Sequence, residues 1–149
     1  MSDSISRVDL AYAAGFFDGE GSISILKARE GQRGPKICIS ASQTRPRVIK
    51  WLQELFGCGS VHHYPVETRP IGRTGKPIRP LWLWSVSGDK AVEIIILLKP
   101  FMRVKHNEVT LIMEFLSEYE MHRRVGNTHE QVVAAFKQEL SDERDEPCY

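Results

Sequence analysis

Two short runs in which apolar and mostly small polar residues alternate with period two, separated by a turn-forming stretch, constrain this chain more than anything else in it. Ser22-Ile23-Ser24-Ile25-Leu26 is the first, Lys36-Ile37-Cys38-Ile39-Ser40-Ala41-Ser42 the second, and the Gly/Arg-rich segment 31–35 lies between them. Period-two alternation sends successive side chains to opposite faces of an extended strand, so these runs predict two antiparallel strands, each half buried. One face carries Ile and Ala. The other carries Ser24, Leu26, Lys36, Cys38, Ser40 and Ser42, and is small and polar instead of densely charged.

The flanking segments extend this unit. VDLAYAAGFFDGEGS predicts a short helix capped by Asp9 and running to about Asp18, with Gly19 and Gly21 breaking it. Within it Ala11, Gly15 and Gly19 recur at i, i+4 and i+8, a small-residue stripe along which another helix can approach backbone to backbone. Pro46 opens a second helix whose apolar face, Val48, Ile49, Leu52, Leu55 and Phe56, stops at Gly57. A third strand over 60–65 and a fourth over 81–87 are joined by a long Pro/Gly/Arg loop. His62 and Tyr64 are expected beside the polar sheet face, whereas Trp82 and Trp84 are read as core aromatics.

Ser87-Gly88-Asp89 is expected to cap a helix through about Leu98, which Pro100 breaks. A further helix is expected from Lys105 to about Arg123, with Val109, Ile112, Met113 and Leu116 inward. Thr128 to Gln131 has the pattern of a capping box for a last helix that decays into the acidic tail SDERDEP. The order is that of an α+β domain with one four-stranded antiparallel sheet and extra C-terminal helices. At 149 residues the chain fits one domain, its core at about residues 8–120 and a C-terminal helix and acidic tail at about 121–149.

Charge is distributed unevenly. The formal net charge is +1, yet between Lys27 and Arg79 there are 11 Lys/Arg against 3 Asp/Glu, the footprint expected of a surface that meets phosphates. Three scattered cysteines, Cys38, Cys58 and Cys148, argue against a disulfide framework, and without a C-x-x-C pair there is no signature of structural zinc. An intracellular, reducing compartment is expected. No signal-peptide pattern opens the chain, and the most apolar run, Ala91 to Leu98, is too short to span a bilayer.

Residues Ala13-Ala14-Gly15-Phe16-Phe17-Asp18-Gly19-Glu20-Gly21 resemble the motif of the LAGLIDADG homing endonucleases, and the αββαββα order resembles that family's half-saddle unit. Gln43 and Arg47 at the exit of the second strand, and Lys-Pro-Phe-Met-Arg-Val-Lys over 99–105, are similar to two further family segments. The resemblance, over roughly residues 8–120, is to the single-motif type, and so implies a homodimer packed along Ala11, Ala14, Gly15, Asp18 and Gly19.

It further implies cleavage of both strands of a long pseudo-palindromic double-stranded DNA site across the minor groove, leaving 3′ overhangs, in an intron- or intein-associated element. Glu20, with Gly19 and Asp18 beside it, would hold Mg²⁺. Mn²⁺ would substitute, and Ca²⁺ would bind without supporting cleavage. Gln43 and Arg47 would orient water and phosphate, and Lys105 would stabilise developing charge.

The motif's usual final Asp is here Glu20, which keeps the carboxylate and lengthens its arm. A carboxylate at a helix C-terminus faces the negative end of the macrodipole, which favours a cation beside it. The sheet would read base edges, while Lys27, Arg29, Arg33, Arg69, Arg73 and Lys76 suit phosphates. Small residues on that face suggest water-mediated contacts. Two other readings stay open: a non-cleaving binder on the same fold, such as an intron-RNA splicing helper or DNA-binding regulator, and an interaction module with an incidental basic loop. Neither a membrane nor a small-molecule substrate is expected.

Overall fold

The computed structural model describes residues 4–27, 34–65, 79–125 and 130–145. Helix α1 covers Arg7–Glu20, strand β1 Gly21–Leu26, β2 Lys36–Gln43, α2 Pro46–Phe56, β3 Ser60–Tyr64 and β4 Leu81–Ser87. Helix α3 covers Asp89–Leu98, a single 3-10 turn Lys99–Phe101, α4 His106–Val125 and α5 Glu130–Asp145. The expected α+β order is therefore present, and the four strands form one antiparallel sheet in the order β1-β2-β4-β3.

Several boundaries differ from the expected ones for local reasons. Ser6, not Asp9, caps α1: its hydroxyl accepts the Asp9 N–H at 3.1 Å and donates to the Asp9 carboxylate at 2.7 Å, so Asp9 becomes the reciprocal partner one turn in. The helix also continues to Glu20, two residues past the expected end. At α3 the N-cap is Gly88, without a side-chain cap bond; its N–H is instead tied to the Ile37 carbonyl of β2 at 2.8 Å. The acidic segment after α5's apolar positions is helical as far as Asp145. Helix α2 matches its expectation, and Gly57 closes it at φ 64°, a left-handed position that favours glycine. The proposed capping box at Thr128 to Gln131 lies outside the residues whose side chains are described.

Alternation sorts the sheet into two faces. Ile23, Ile25, Ile37, Ile39, Ala41, Trp84 and Val86 are buried under the helices. Trp84 is fully buried, lies against Phe56 with ring centroids 5.8 Å apart, and donates its indole N–H to the Cys58 carbonyl at 3.1 Å. Trp82 shares this face at the sheet end, only partly covered, with its ring stacked on His63 at 4.2 Å.

A second apolar layer joins α4 to α5 through Val109, Ile112, Phe115, Val133, Phe136 and Leu140. It seats α5 beside the outer edge of β1, where Arg144 donates to the Ile23 carbonyl and meets the Glu108 carboxylate at 3.5 Å. An edge strand exposes unpaired carbonyls, and α5 thereby covers part of this one.

Candidate functional site

The end of α1 is held by reciprocal bonds with the segment that leads into α4. Asp18 accepts the Arg103 N–H at 2.8 Å through Oδ2 and the Lys105 N–H at 3.0 Å through Oδ1. In return the Lys105 ammonium donates to the Asp18 main-chain carbonyl at 2.7 Å. That places a positive charge at the negative end of the α1 dipole. Both Asp18 oxygens are thus engaged in binding the chain to itself, while Glu20, two residues on, is exposed.

The last carbonyls of a helix lack intrahelical partners. In α1 the Phe17 carbonyl is taken by the Gly21 N–H and the Asp18 carbonyl by Lys105, leaving that of Gly19 as the next one without an intrahelical donor. Gly21 makes this tight exit possible, because a Cβ there would lie 2.5 Å from the Phe17 ring and its carbonyl. Glu20 and the Gly19 carbonyl form a small set of hard oxygen donors, the type that suits Mg²⁺ or Ca²⁺. Among the described residues no group of three His, Cys, Asp or Glu could hold a metal ion.

Gln43 reaches the same level of the sheet from β2. That strand runs two residues beyond its last pairing with β1, Gly21↔Ala41, and Gln43 lines a cleft with Val8, Tyr12 and Phe16 of α1. Its side-chain oxygen accepts the Thr44 N–H at 2.8 Å and the Thr44 hydroxyl lies 3.2 Å away. A backbone N–H can only donate, so this bond fixes the amide orientation and turns the Gln43 NH₂ the other way.

Gln43 and Arg47 both line an open cleft of about 1180 Å³ between α1 and α2. Arg45, Lys50 and Arg79 line it too, with Tyr12 and Trp51 packed edge to face at 5.2 Å between centroids. The pattern of the sequence did not single out Arg45 or Lys50, because a helix-terminal basic residue carries no signal of which cavity it borders. Glu20 and Lys105 are not part of the cleft wall.

The outer surface of α1 is unusual for a helix of this length. Ala13, Ala14 and Phe17 turn into the core, so Ala14, expected at the homodimer interface, faces the chain's own interior. Ala11, Gly15 and Gly19 face outward, flanked by Val8 at 79% and Tyr12 at 61% exposure. A Cβ placed on Gly15 or Gly19 would meet nothing within 4 Å.

The uncovered sheet face carries Ser24, Leu26, Lys36, Cys38, Ser40, Ser42, His62 and Tyr64, all on the side given by their parity, and none of them is buried. Register adds Ser22, Ser60, Leu81, Leu83, Ser85 and Ser87 to it. Parity carried through β3 and β4, and back to Ser22 at the start of β1, was the signal that could have found these. Partial burial pushes the Cys38 thiol above the ordinary range, with a hydrogen bond to the Ser24 side chain pulling the other way. Lys27 is exposed at the end of β1, whereas Arg29, Arg33, Arg69, Arg73 and Lys76 lie outside the described residues. Among the described residues no helix is long and apolar enough to cross a membrane.

No protein-family model and no curated protein sequence matches the chain. Solved structures do. The homing endonuclease I-CvuI, in complex with its target in the presence of Ca, aligns with a TM-score of 0.63 and 19% identity over 94% of this chain and 84% of that one. The archaeal intron-encoded homing endonuclease I-Vdi141I, complexed with DNA, gives 0.65 and 20% over 95% and 87%. The LAGLIDADG homing endonuclease I-SmaMI, bound to cleaved DNA, gives 0.63 and 16% over 91% of this chain but 45% of its own. At these identities the likeness is one of fold, and the fold is that of the homing endonucleases.

Proposed function

We propose that this protein is a metal-dependent, site-specific DNA endonuclease of the LAGLIDADG homing type, acting as a homodimer on double-stranded DNA. The observation that carries the reading is the outer face of α1, where a Cβ added at Gly15 or Gly19 would meet nothing within 4 Å among the described residues and the helix ends in the exposed carboxylate of Glu20. A glycine inside a helix costs about 1 kcal/mol relative to alanine. Two of them on an exposed face with open space where a Cβ would stand make sense where a second helix approaches closely. A second copy of α1 packed there across a dyad brings a second Glu20 to the first.

That arrangement also supplies what one chain lacks. With Asp18 engaged, a single chain offers one free carboxylate at this helix end, and two related chains offer two. Glu20 and the Gly19 carbonyl would hold Mg²⁺, which when bound neutralises phosphate oxygens and acidifies water. In that reaction the Gln43 NH₂ would orient the water, Arg47 would hold a phosphate at the cleft, and Lys105 would offset charge that develops at the scissile group. The open face lies in the major groove of each half-site, and the basic segment between Lys27 and Arg79 engages the backbone. Cleavage across the intervening minor groove leaves 3′ overhangs.

The test is a cleavage-site selection in which wild-type protein and Glu20→Gln are incubated with a randomised DNA library in Mg²⁺ or Ca²⁺ and the ends are sequenced. Staggered cuts at one long pseudo-palindrome, absent from the variant and from the Ca²⁺ reaction while binding persists, are the expected result. Salt-sensitive binding without cuts in any metal would instead favour a splicing or regulatory protein on the same fold.

A further inference from the structure

Register divides the open sheet face into rows of unequal chemistry. Ser22, Ser40, Ser85 and Ser60 lie in one continuous row across all four strands, through the pairs Ser22↔Ser40, Ser40↔Ser85 and Ser60↔Ser85. The next row away from α1 is Ser24, Cys38 and Ser87. At the α1 end the rows become Ser42, Leu83 and His62, then Leu81 and Tyr64. At the far end stands the exposed pair Leu26 and Lys36.

We propose that this chain reads DNA sequence at the two ends of its open face, and that the serine rows between them form a nearly sequence-blind window. The proposal rests on the endonuclease reading and refines it. A serine hydroxyl both donates and accepts and rotates to suit either, so it pairs with any base edge or with a bridging water and separates bases weakly. Cys38 adds only a weak donor to the same stretch.

The end rows carry side chains with a definite preference. Lys36 offers donors alone, which suits the two major-groove acceptors of guanine, and Leu26 and Leu83 suit the thymine methyl. His62 and Tyr64, with ring centroids 6.5 Å apart, form a bulky polar edge on β3. Rows on one face are about 6.8 Å apart along a strand, close to two base-pair steps of about 3.4 Å. With the strands running along the groove, the His62 row and the Lys36 row stand three row-steps apart. That leaves a window of roughly four base pairs in each half-site, counted from the same spacing.

The experiment is a position-by-position preference profile from a randomised library, taken from cut ends in Mg²⁺ and from DNA retained in Ca²⁺. It compares wild type with Lys36→Ala, Ser40→Ala and Ser40→Arg. Two blocks of strong preference per half-site, separated by a weak stretch, are expected. Lys36→Ala should flatten one dyad-related pair of positions by roughly 5- to 100-fold, the scale of a single good base contact, and leave the rest. Ser40→Ala should leave the profile unchanged, and Ser40→Arg should create a guanine preference inside the weak stretch. Strongest preference inside that stretch, or its loss in Ser40→Ala, overturns the proposal while leaving the endonuclease reading intact. Failure to select any site overturns both.

Discussion

Asp18 and Glu20 stand two residues apart and are placed differently, Asp18 bonded to a distant segment and Glu20 exposed. Asp18 binds two backbone N–H groups of the segment before α4, and charge-assisted bonds of this kind contribute about 1.5 to 3 kcal/mol each. Because the Arg103 bond is exposed to solvent and so contributes less than the full amount, Asp18→Ala should lower stability in urea unfolding by about 2 to 4 kcal/mol. Glu20→Gln, at an exposed position, should change it by less than about 0.5 kcal/mol. Equal losses in the two variants would contradict the placement of Asp18 as the bonded acid and Glu20 as the exposed one. Cys38 provides a second check at this scale. Its thiol is pushed up by burial, so maleimide labelling should be slow at neutral pH, accelerate as pH rises past the ordinary thiol range, and fall when target DNA covers the sheet. Labelling that ignores saturating DNA would argue against the open face as the contact surface. The motif made both acids visible in the sequence. It did not separate their roles, because the groups that engage Asp18 come from 85 and 87 residues away.

At the level of elements, α1 and α5 each carry a feature that the isolated helix does not explain. Gly15→Ala removes backbone freedom at a position with empty space around it, so it should raise the thermal stability of the chain at high dilution, by about 0.5 to 1 kcal/mol. In the proposed homodimer, Gly15→Leu should hold apart the two α1 helices, shifting sedimentation from dimer to monomer and abolishing the proposed double-strand cuts. A dimer unaffected by Gly15→Leu would move the interface elsewhere. In α5, Arg144 is partner to the nearly buried Glu108 and to the free Ile23 carbonyl of the edge strand. Arg144→Ala leaves both without that partner and should cost about 1 to 3 kcal/mol, with hydrogen exchange fastest along β1. The alternating strands and the Pro46 to Gly57 helix were legible because their signals are local. The start of α1 was not, because the Ser6 cap is paired with an Asp9 carboxylate through its hydroxyl, where a Glu or Gln at that position is the usual signal.

As a whole molecule, the protein places its charge asymmetrically. Basic residues concentrate between Lys27 and Arg79, and the opposite end of the chain folds into the α4–α5 pair with exposed Glu114, Glu118, Glu139 and Asp142. DNA binding should therefore weaken steeply with salt, the logarithm of affinity falling linearly with the logarithm of salt concentration at about 0.9 per phosphate neutralised. A salt-independent affinity would exclude the phosphate-engaging role of that segment. The sequence by itself determined which stretches form strands and helices, which side chains share a sheet face, and which acids, amide and lysine are candidates for the site. Those properties follow from periods of 2 and 3.6 residues and from motifs read within a few positions. Only the tertiary structure decided that Trp82 lies at the sheet end and Trp84 within the core, that Ala14 faces inward while Gly15 and Gly19 stay bare, that the serines line up across four strands, and that Asp18 is committed to Arg103 and Lys105. Each of these depends on which distant segment arrives beside which, and that is set by burial of one shared apolar core rather than by any local pattern.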